Sequence, residues 1–182
     1  GNIVELDPQT GATLRVVAAN LTCPNGLAVD PLSGDLFFDG ACFGVGSDRP
    51  QLFRITDPAG TDAGRPTEVV TYATFPHTPN GAIAFSPDGT IYVMVGYESV
   101  RQVYRVAGTD QPQPAAFAPI PNLTAQFWVN VGEVNPDGSA KSLIVLGSAA
   151  PFPLRLADLG TYPPTLTPLT TNAVSSGTIG PD

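Results

Sequence analysis

The segment Pro24-Asn25-Gly26-Leu-Ala-Val-Asp-Pro-Leu-Ser-Gly34 has a second copy about 55 residues further along the chain, Pro79-Asn80-Gly81-Ala-Ile-Ala-Phe-Ser-Pro-Asp-Gly89. A weaker third copy spans residues 129–138 and ends in Asn-Pro-Asp-Gly. In each copy an apolar run leads into a turn, and a second apolar run follows the turn, at residues 36–38, 91–95 and 143–146. Such a repeat predicts a fold built from a series of similar supersecondary units.

A second series of runs recurs with a spacing of about 50 residues and supports the same period. Its four members are Ile3-Val4-Glu5-Leu6, Leu52-Phe53-Arg54-Ile55, Val103-Tyr104-Arg105-Val106 and Pro153-Leu154-Arg155-Leu156. The apolar–charged–apolar order that they share is typical of a β-strand with one face in water. A further strand is predicted after each run, over residues 13–21, 67–75, about 114–123 and 165–173.

Four strands per unit without a helix predict an all-β fold, a β-propeller made of four-stranded blades. The predicted units are residues 1–21, with outer strands only, and residues 23–75, 79–123 and 127–173 as full blades. Residues 1–182 would form one partial propeller domain of about three and a half blades, whereas propellers usually close with about four to eight. We expect part of a larger ring, completed by remaining blades or another chain. A four-bladed ring closed by the carboxyl-terminal residues and a β-sandwich are the alternatives.

The composition narrows the classes of partner. The chain of 182 residues has a net charge of −8 and one lysine, so it lacks the basic surface that binding to a nucleic acid requires. No apolar stretch is long enough for a membrane span. No signal peptide is recognisable at the strand-like start, which suggests a mature, processed or incomplete chain. A small molecule or a protein is the expected ligand.

Two cysteines lie at matching ends of one predicted strand pair, Cys23 before its first strand and Cys42 after its second. These ends are neighbours in an antiparallel hairpin, so we expect a Cys23–Cys42 disulfide, with two unrelated buried thiols as the alternative. A disulfide favours an oxidising compartment, and hence a secreted, extracellular or periplasmic protein. Two Asn-Leu-Thr sequons, at Asn20 and Asn122, lie in predicted turns between units and are candidates for glycosylation.

The connections that lead into the inner strands are expected to bring polar residues to one face of the propeller. Asn25 and Asn80 begin two consecutive inner strands, near the expected axis, where their carbonyl oxygens suit Ca²⁺ or another divalent cation. The alternative is that each asparagine only caps its turn. The same face carries a candidate ligand surface: Asp39, His77, Glu98 and Asn130. The sequence contains no nucleophile motif, phosphate loop or zinc spacing, so it assigns no catalytic residue.

The two Pro-Asn-Gly segments, the second continuing Ala-Ile-Ala-Phe-Ser-Pro-Asp-Gly-Thr-Ile-Tyr-Val, resemble the senescence-marker/gluconolactonase and strictosidine-synthase-like propellers, and more loosely the NHL-repeat proteins. The resemblance covers roughly residues 1–160 and implies a six-bladed ring. For the lactonase branch it implies an axial divalent metal with Asn25 and Asn80 among its ligands. The glutamate ligand of that pattern has no identifiable counterpart here, and neither Asp39 nor Glu98 clearly matches its general base.

Two functions are expected from the sequence. The first is a secreted β-propeller module for recognition or structure outside the cell, supported by the acidic composition, the expected disulfide and the lack of a catalytic motif in the sequence. The alternative is a metal-dependent hydrolase of lactones or esters. In that case a cation held by Asn25 and Asn80 would polarise the substrate carbonyl group and activate water.

Overall fold

The computed structural model describes residues 1–40, 51–60, 67–96, 101–107, 116–125, 128–147 and 153–169. Within these ranges the chain forms fourteen β-strands and no helix. The strands are β1 (Ile3–Leu6), β2 (Thr13–Ala18), β3 (Leu27–Val29), β4 (Leu36–Asp39), β5 (Gln51–Thr56), β6 (Glu68–Thr74), β7 (Pro79–Phe85), β8 (Ile91–Val95), β9 (Gln102–Ala107), β10 (Ala116–Pro119), β11 (Val129–Val131), β12 (Ser142–Leu146), β13 (Leu154–Asp158) and β14 (Thr165–Pro168). A search of the described ranges for a helix long and apolar enough to cross a membrane finds none.

These strands pair into four antiparallel sheets. The first sheet contains β1 and β2, the second β3–β6, the third β7–β10 and the fourth β11–β14. Within each four-stranded sheet, strands that follow one another in the chain lie side by side, so every sheet is a simple meander. In this order each strand runs antiparallel to the next one along the chain.

Aspartate-containing turns reverse the chain between the first two strands of the second and third sheets. The buried carboxylate of Asp30 accepts a hydrogen bond from the Leu32 amide at 3.0 Å and another from the Ser33 hydroxyl at 2.6 Å. Gly34 then adopts a φ of 75°, a left-handed conformation that glycine reaches without strain. In the turn between β7 and β8, the carboxylate of Asp88 likewise accepts hydrogen bonds from the Ser86 hydroxyl and the Thr90 amide. These residues serve as turn residues, as their sequence context predicts.

Alternation along β8 explains how the sheets stack. Ile91, Val93 and Val95 pack into an apolar cluster with side chains of the second sheet. Tyr92 and Met94 point to the opposite side and pack into a cluster with the fourth sheet. Because successive side chains of a strand point to opposite faces, one apolar strand supplies two cores. The third sheet is therefore packed between the second and the fourth.

Aromatic side chains fill the cluster between the second and third sheets. The Phe37 ring of β4 meets the Tyr72 ring edge to face at a centroid distance of 4.8 Å, and it meets the Phe85 ring of β7 at 5.2 Å. Phe75 and Tyr104 form a further pair at 5.4 Å. A third cluster, with Ile3, Ala18, Phe38 and Ile55 at its centre, joins the first sheet to the second. Each sheet thus packs on the next sheet along the chain.

The all-β fold and the antiparallel four-stranded sheets predicted from the sequence are confirmed. Their arrangement is compatible with a β-propeller. The sheets are not closed into a ring: within the described ranges, no apolar cluster packs the first sheet against the fourth. The division of residues 1–182 into units stays a prediction.

Candidate functional site

The buried carboxylate of Asp39, at the end of β4, connects two neighbouring sheets. Its Oδ2 atom accepts a hydrogen bond from the amide of Gly81 in β7 at 2.7 Å, and Oδ1 accepts a longer one from the amide of Gly26 at 3.4 Å. Gly26 and Gly81 are the glycines of the two Pro-Asn-Gly motifs. We call these three residues the Asp39 clamp. It joins the second sheet to the third through groups that the repeat supplies.

The clamp needs glycine at both motif positions. A Cβ atom on Gly26 would lie 2.5 Å from the carbonyl oxygen of Gly81, which is closer than real Cβ atoms approach an oxygen. Gly81 has a φ of 81°, and a Cβ atom there would lie 3.0 Å from Nδ2 of Asn25. The two backbones therefore approach closely, and the Asn25 side chain lies beside Gly81. The motif positions are thus accounted for by packing between sheets.

The two predicted metal ligands lie at the first strands of neighbouring sheets, Asn25 just before β3 and Asn80 in β7. Asn25 is exposed, and its backbone amide donates to the backbone carbonyl oxygen of Asp39 at 3.0 Å. Asn80 is the second residue of β7. No group of three or more His, Cys, Asp or Glu side chains in the described part of the chain is placed to hold a metal ion. A site based on asparagine oxygens stays a prediction.

The other residues of the predicted ligand surface have different surroundings. His77 is exposed in the connection between β6 and β7. Asn130 is half-buried in β11, and its side-chain oxygen accepts a hydrogen bond from the Val131 amide at 2.9 Å. Asn130 pairs with Ile144, on the face of the fourth sheet opposite to the cluster shared with the third sheet. Glu98 lies outside the described residues.

The two sequon asparagines occupy matching turns. Asn20 and Asn122 are both exposed, and their φ angles are 58° and 59°. Asparagine tolerates this left-handed conformation better than most residues, which suits a tight turn between sheets. Glycosylation of these residues stays a prediction.

No cysteine in the described ranges is free. Cys42, the partner predicted for Cys23, lies outside them, so the pairing itself also stays a prediction.

One charged residue departs from the sequence pattern. Arg54 was expected on a water-facing side of its strand, but only 9% of its side chain is exposed. Its Nε atom donates to the fully buried carboxylate of Asp35 at 2.5 Å, and its guanidinium lies 5.7 Å from the centre of the Phe37 ring. The Asp57 amide donates to the same carboxylate at 3.1 Å. A buried partner and a ring face, neither visible in the pattern around Arg54, compensate for its removal from water.

A groove between the third and fourth sheets is the second site that the sequence pattern does not reveal. It has a volume of about 220 Å³, and its walls include Arg105 of β9, Ile120 after β10, and Leu159 and Tyr162 of the β13–β14 connection. Arg105 is exposed, and 86% of Tyr162 is exposed. We call this site the Arg105–Tyr162 groove. It presents a positive charge and an aromatic ring beside an apolar floor, a combination suited to binding an anionic group attached to an apolar one.

Comparison of the sequence with protein-family models and with curated proteins finds no match. Among solved structures, the chain is similar to one described as "Kuenenia stuttgartiensis Hydrazine Synthase", with a TM-score of 0.49 and 17% sequence identity. The similarity covers 92% of this chain and 40% of that one, so this chain spans well under half the length of the structure it matches.

Proposed function

We propose that this chain is a recognition or structural module that works outside the cell, built on β-propeller-type sheets and completed by further blades or another chain. The observation that carries the proposal is the Asp39 clamp. The backbone amides of the glycines of both Pro-Asn-Gly motifs donate to the carboxylate of Asp39, and the bond from Gly81 joins the third sheet to the second. The motif that suggested a metal-binding enzyme therefore has a structural use.

The Arg105–Tyr162 groove is the surface that we propose for recognition. The chain as a whole is acidic, with a net charge of −8, so an exposed arginine beside an exposed tyrosine is a local departure from its surroundings. A ligand with a carboxylate or another anionic group next to an apolar part would pair with Arg105 and cover the Tyr162 ring. A small molecule or a segment of a protein can carry this combination.

The proposal is tested by two measurements on the full chain. Binding is measured on an array of short peptides and small aromatic carboxylates, with Tyr162→Ala and Arg105→Gln as site variants and Leu32→Ala, at an exposed turn of the second sheet, as the control. We expect ligands that lose binding in both site variants and keep it in the control. Hydrolysis of a chromogenic ester and a lactone is measured with and without Ca²⁺. Metal-dependent hydrolysis that disappears in Asn80→Ala would overturn the proposal in favour of a hydrolase.

A further inference from the structure

The first sheet has a strand edge without a partner in the described ranges. β1 pairs with β2 alone, whereas the strands that correspond to it in the other sheets, β5, β9 and β13, each pair on both sides. The free edge of β1 presents backbone amide and carbonyl groups that can bind another strand. In the second to fourth sheets, the corresponding edge is paired with a hairpin made of the first two strands of the sheet: β3–β4, β7–β8 and β11–β12.

A groove lies beside this free edge. It has a volume of about 240 Å³ and runs between β1, at Ile3 and Val4, and the start of β3, at Gly26 and Leu27. Phe38 of β4 contributes to its floor. The groove is therefore bounded by a sheet edge on one side and by an apolar inner strand on the other.

The third sheet shows what covers the equivalent side chains. Leu27 and Val29 of β3 pair with Phe38 and Leu36, which face the first sheet, and they are 51% and 56% exposed. In the third sheet, Ile83 and Phe85 occupy the same places opposite Val93 and Ile91, and both are half-buried against the second sheet.

The cover over Phe85 is a residue of an inner hairpin, because its ring meets that of Phe37 in β4 at 5.2 Å. Among the strands of the described ranges, no equivalent hairpin lies in front of Leu27 and Val29. Two neighbouring large apolar side chains are therefore about half exposed beside a groove, and this exposure is typical of a binding surface.

We propose that the groove between β1 and β3 accepts an antiparallel β-hairpin of the same repeat type. One strand of this hairpin pairs with the free edge of β1, and its alternating apolar side chains cover Leu27 and Val29. Main-chain hydrogen bonds provide affinity in this mode of binding, and the side chains that fill the groove provide selectivity. The inference rests on the proposed module, since it names the element that completes the first sheet.

The hairpin of the third sheet is the probe. A labelled synthetic peptide of residues 79–96 is titrated against the full chain and followed by fluorescence anisotropy, with a peptide carrying Ile83→Asp and Phe85→Asp as its control. We expect saturable one-to-one binding by the native peptide alone. Leu27→Asp in the full chain should weaken binding by about tenfold or more, because a charge would be buried on docking. Val134→Asp, at a similarly exposed site in the connection between β11 and β12, should leave binding unchanged.

Hydrogen exchange locates the bound peptide. Slower exchange at the amides of residues 2–6 on peptide addition is the expected result, and binding without this protection, or binding unaffected by Leu27→Asp, overturns the proposal. Protection of the same amides by concentration-dependent dimerisation would make a second copy the occupant. Binding that appears only after deletion of residues 170–182 would make the chain's own end the occupant. Either of these two outcomes also overturns the proposal of a hairpin partner. Tyr162→Ala should not affect peptide binding, so failure of the recognition groove and failure of the hairpin site are distinguishable.

Discussion

Replacement of Asp39 by asparagine tests whether the repeated glycine motif serves mainly to join neighbouring sheets. The substitution keeps the size of the side chain but removes its charge and turns one acceptor oxygen into an NH₂ group. The bond from the Gly81 amide, at 2.7 Å, is short and charge-assisted, whereas the bond from the Gly26 amide, at 3.4 Å, contributes little. The side chain of the Asp39→Asn variant can orient its single oxygen toward only one of the two amides.

The cost follows from these contacts. With its oxygen turned to Gly81, the asparagine loses the charge assistance of that bond and places its NH₂ group against the Gly26 amide, and together these changes should destabilise the protein by about 2 kcal/mol. For a chain of this size that loss corresponds to a fall in Tm of roughly 4–8 °C. Thermal unfolding followed by circular dichroism and urea unfolding measure the two quantities, and Asp39→Asn should leave the spectrum of the folded protein unchanged.

The exposed turn residue Asp7 offers a matched control. Its carboxylate accepts hydrogen bonds from the Gln9 and Thr10 amides, both at 2.8 Å, and these bonds lower the pKa of Asp7. Asp7→Asn makes the same chemical change in water, so we expect a clearly smaller loss. If Asp39→Asn destabilises the chain no more than Asp7→Asn does, the Asp39 clamp does not hold the sheets together. If the loss appears only in the presence of Ca²⁺, the carboxylate is a metal ligand instead.

Four further outcomes are expected. Asp35→Leu should cost roughly 3–5 kcal/mol of unfolding free energy because it leaves Arg54 buried without its carboxylate, and adding Arg54→Met should restore most of the loss in chemical denaturation. Burial, with the charge of Asp88 as a second cause, raises the pKa of Tyr92 above its ordinary value of 10.0. As the pH rises, the tyrosine therefore loses its proton in the unfolded chain before it does so in the folded protein. The wild type should consequently lose stability above pH 10 relative to Tyr92→Phe. Ca²⁺ should not shift the Tm of the wild type or of Asn80→Ala. Reduction should raise the intact mass by two hydrogens and lower stability by about 3 kcal/mol if Cys23 is paired as predicted.

Each of these predictions has a contrary result. A double variant of the buried ion pair as unstable as the single one would show that the pocket cannot repack around apolar side chains. Equal pH dependence in the wild type and in Tyr92→Phe would mean that Tyr92 does not control stability at high pH. A Ca²⁺-dependent rise in Tm that is lost in Asn80→Ala would support the axial metal site. An unchanged mass on reduction would rule out the disulfide.

The strands and turns could be predicted from the sequence because their signals are local. The apolar run at residues 91–95 predicts β8, and the Asp-Pro and Pro-Asp-Gly turns predict where the chain reverses. The repeat then indicates that each unit is a meander of four strands. Nothing in this reasoning depends on knowing which sheets touch.

The surroundings of the charged residues could not be predicted in the same way. Arg54 and Arg105 occupy equivalent places in the repeat, yet Arg54 is buried against Asp35 while Arg105 is exposed in a groove. The difference arises from the neighbouring side chains, which the strand pattern does not specify. The hydrogen bond of Asp39 across the two sheets depends likewise on the close approach of Gly26 to Gly81. This approach joins two separate units of the repeat, so the sequence around either glycine does not predict it.

The two-sided packing of β8 also has a consequence for how the protein comes apart. Because its side chains belong to two clusters, opening the third sheet would uncover the second and the fourth at once. The first sheet is held through one cluster, on a single side. In a linear array of units coupled to their nearest neighbours, the units with one neighbour open at the lowest free energy. Amide exchange should therefore be fastest in β1 and β2 and slowest in β8, and unfolding should spread inward from an end.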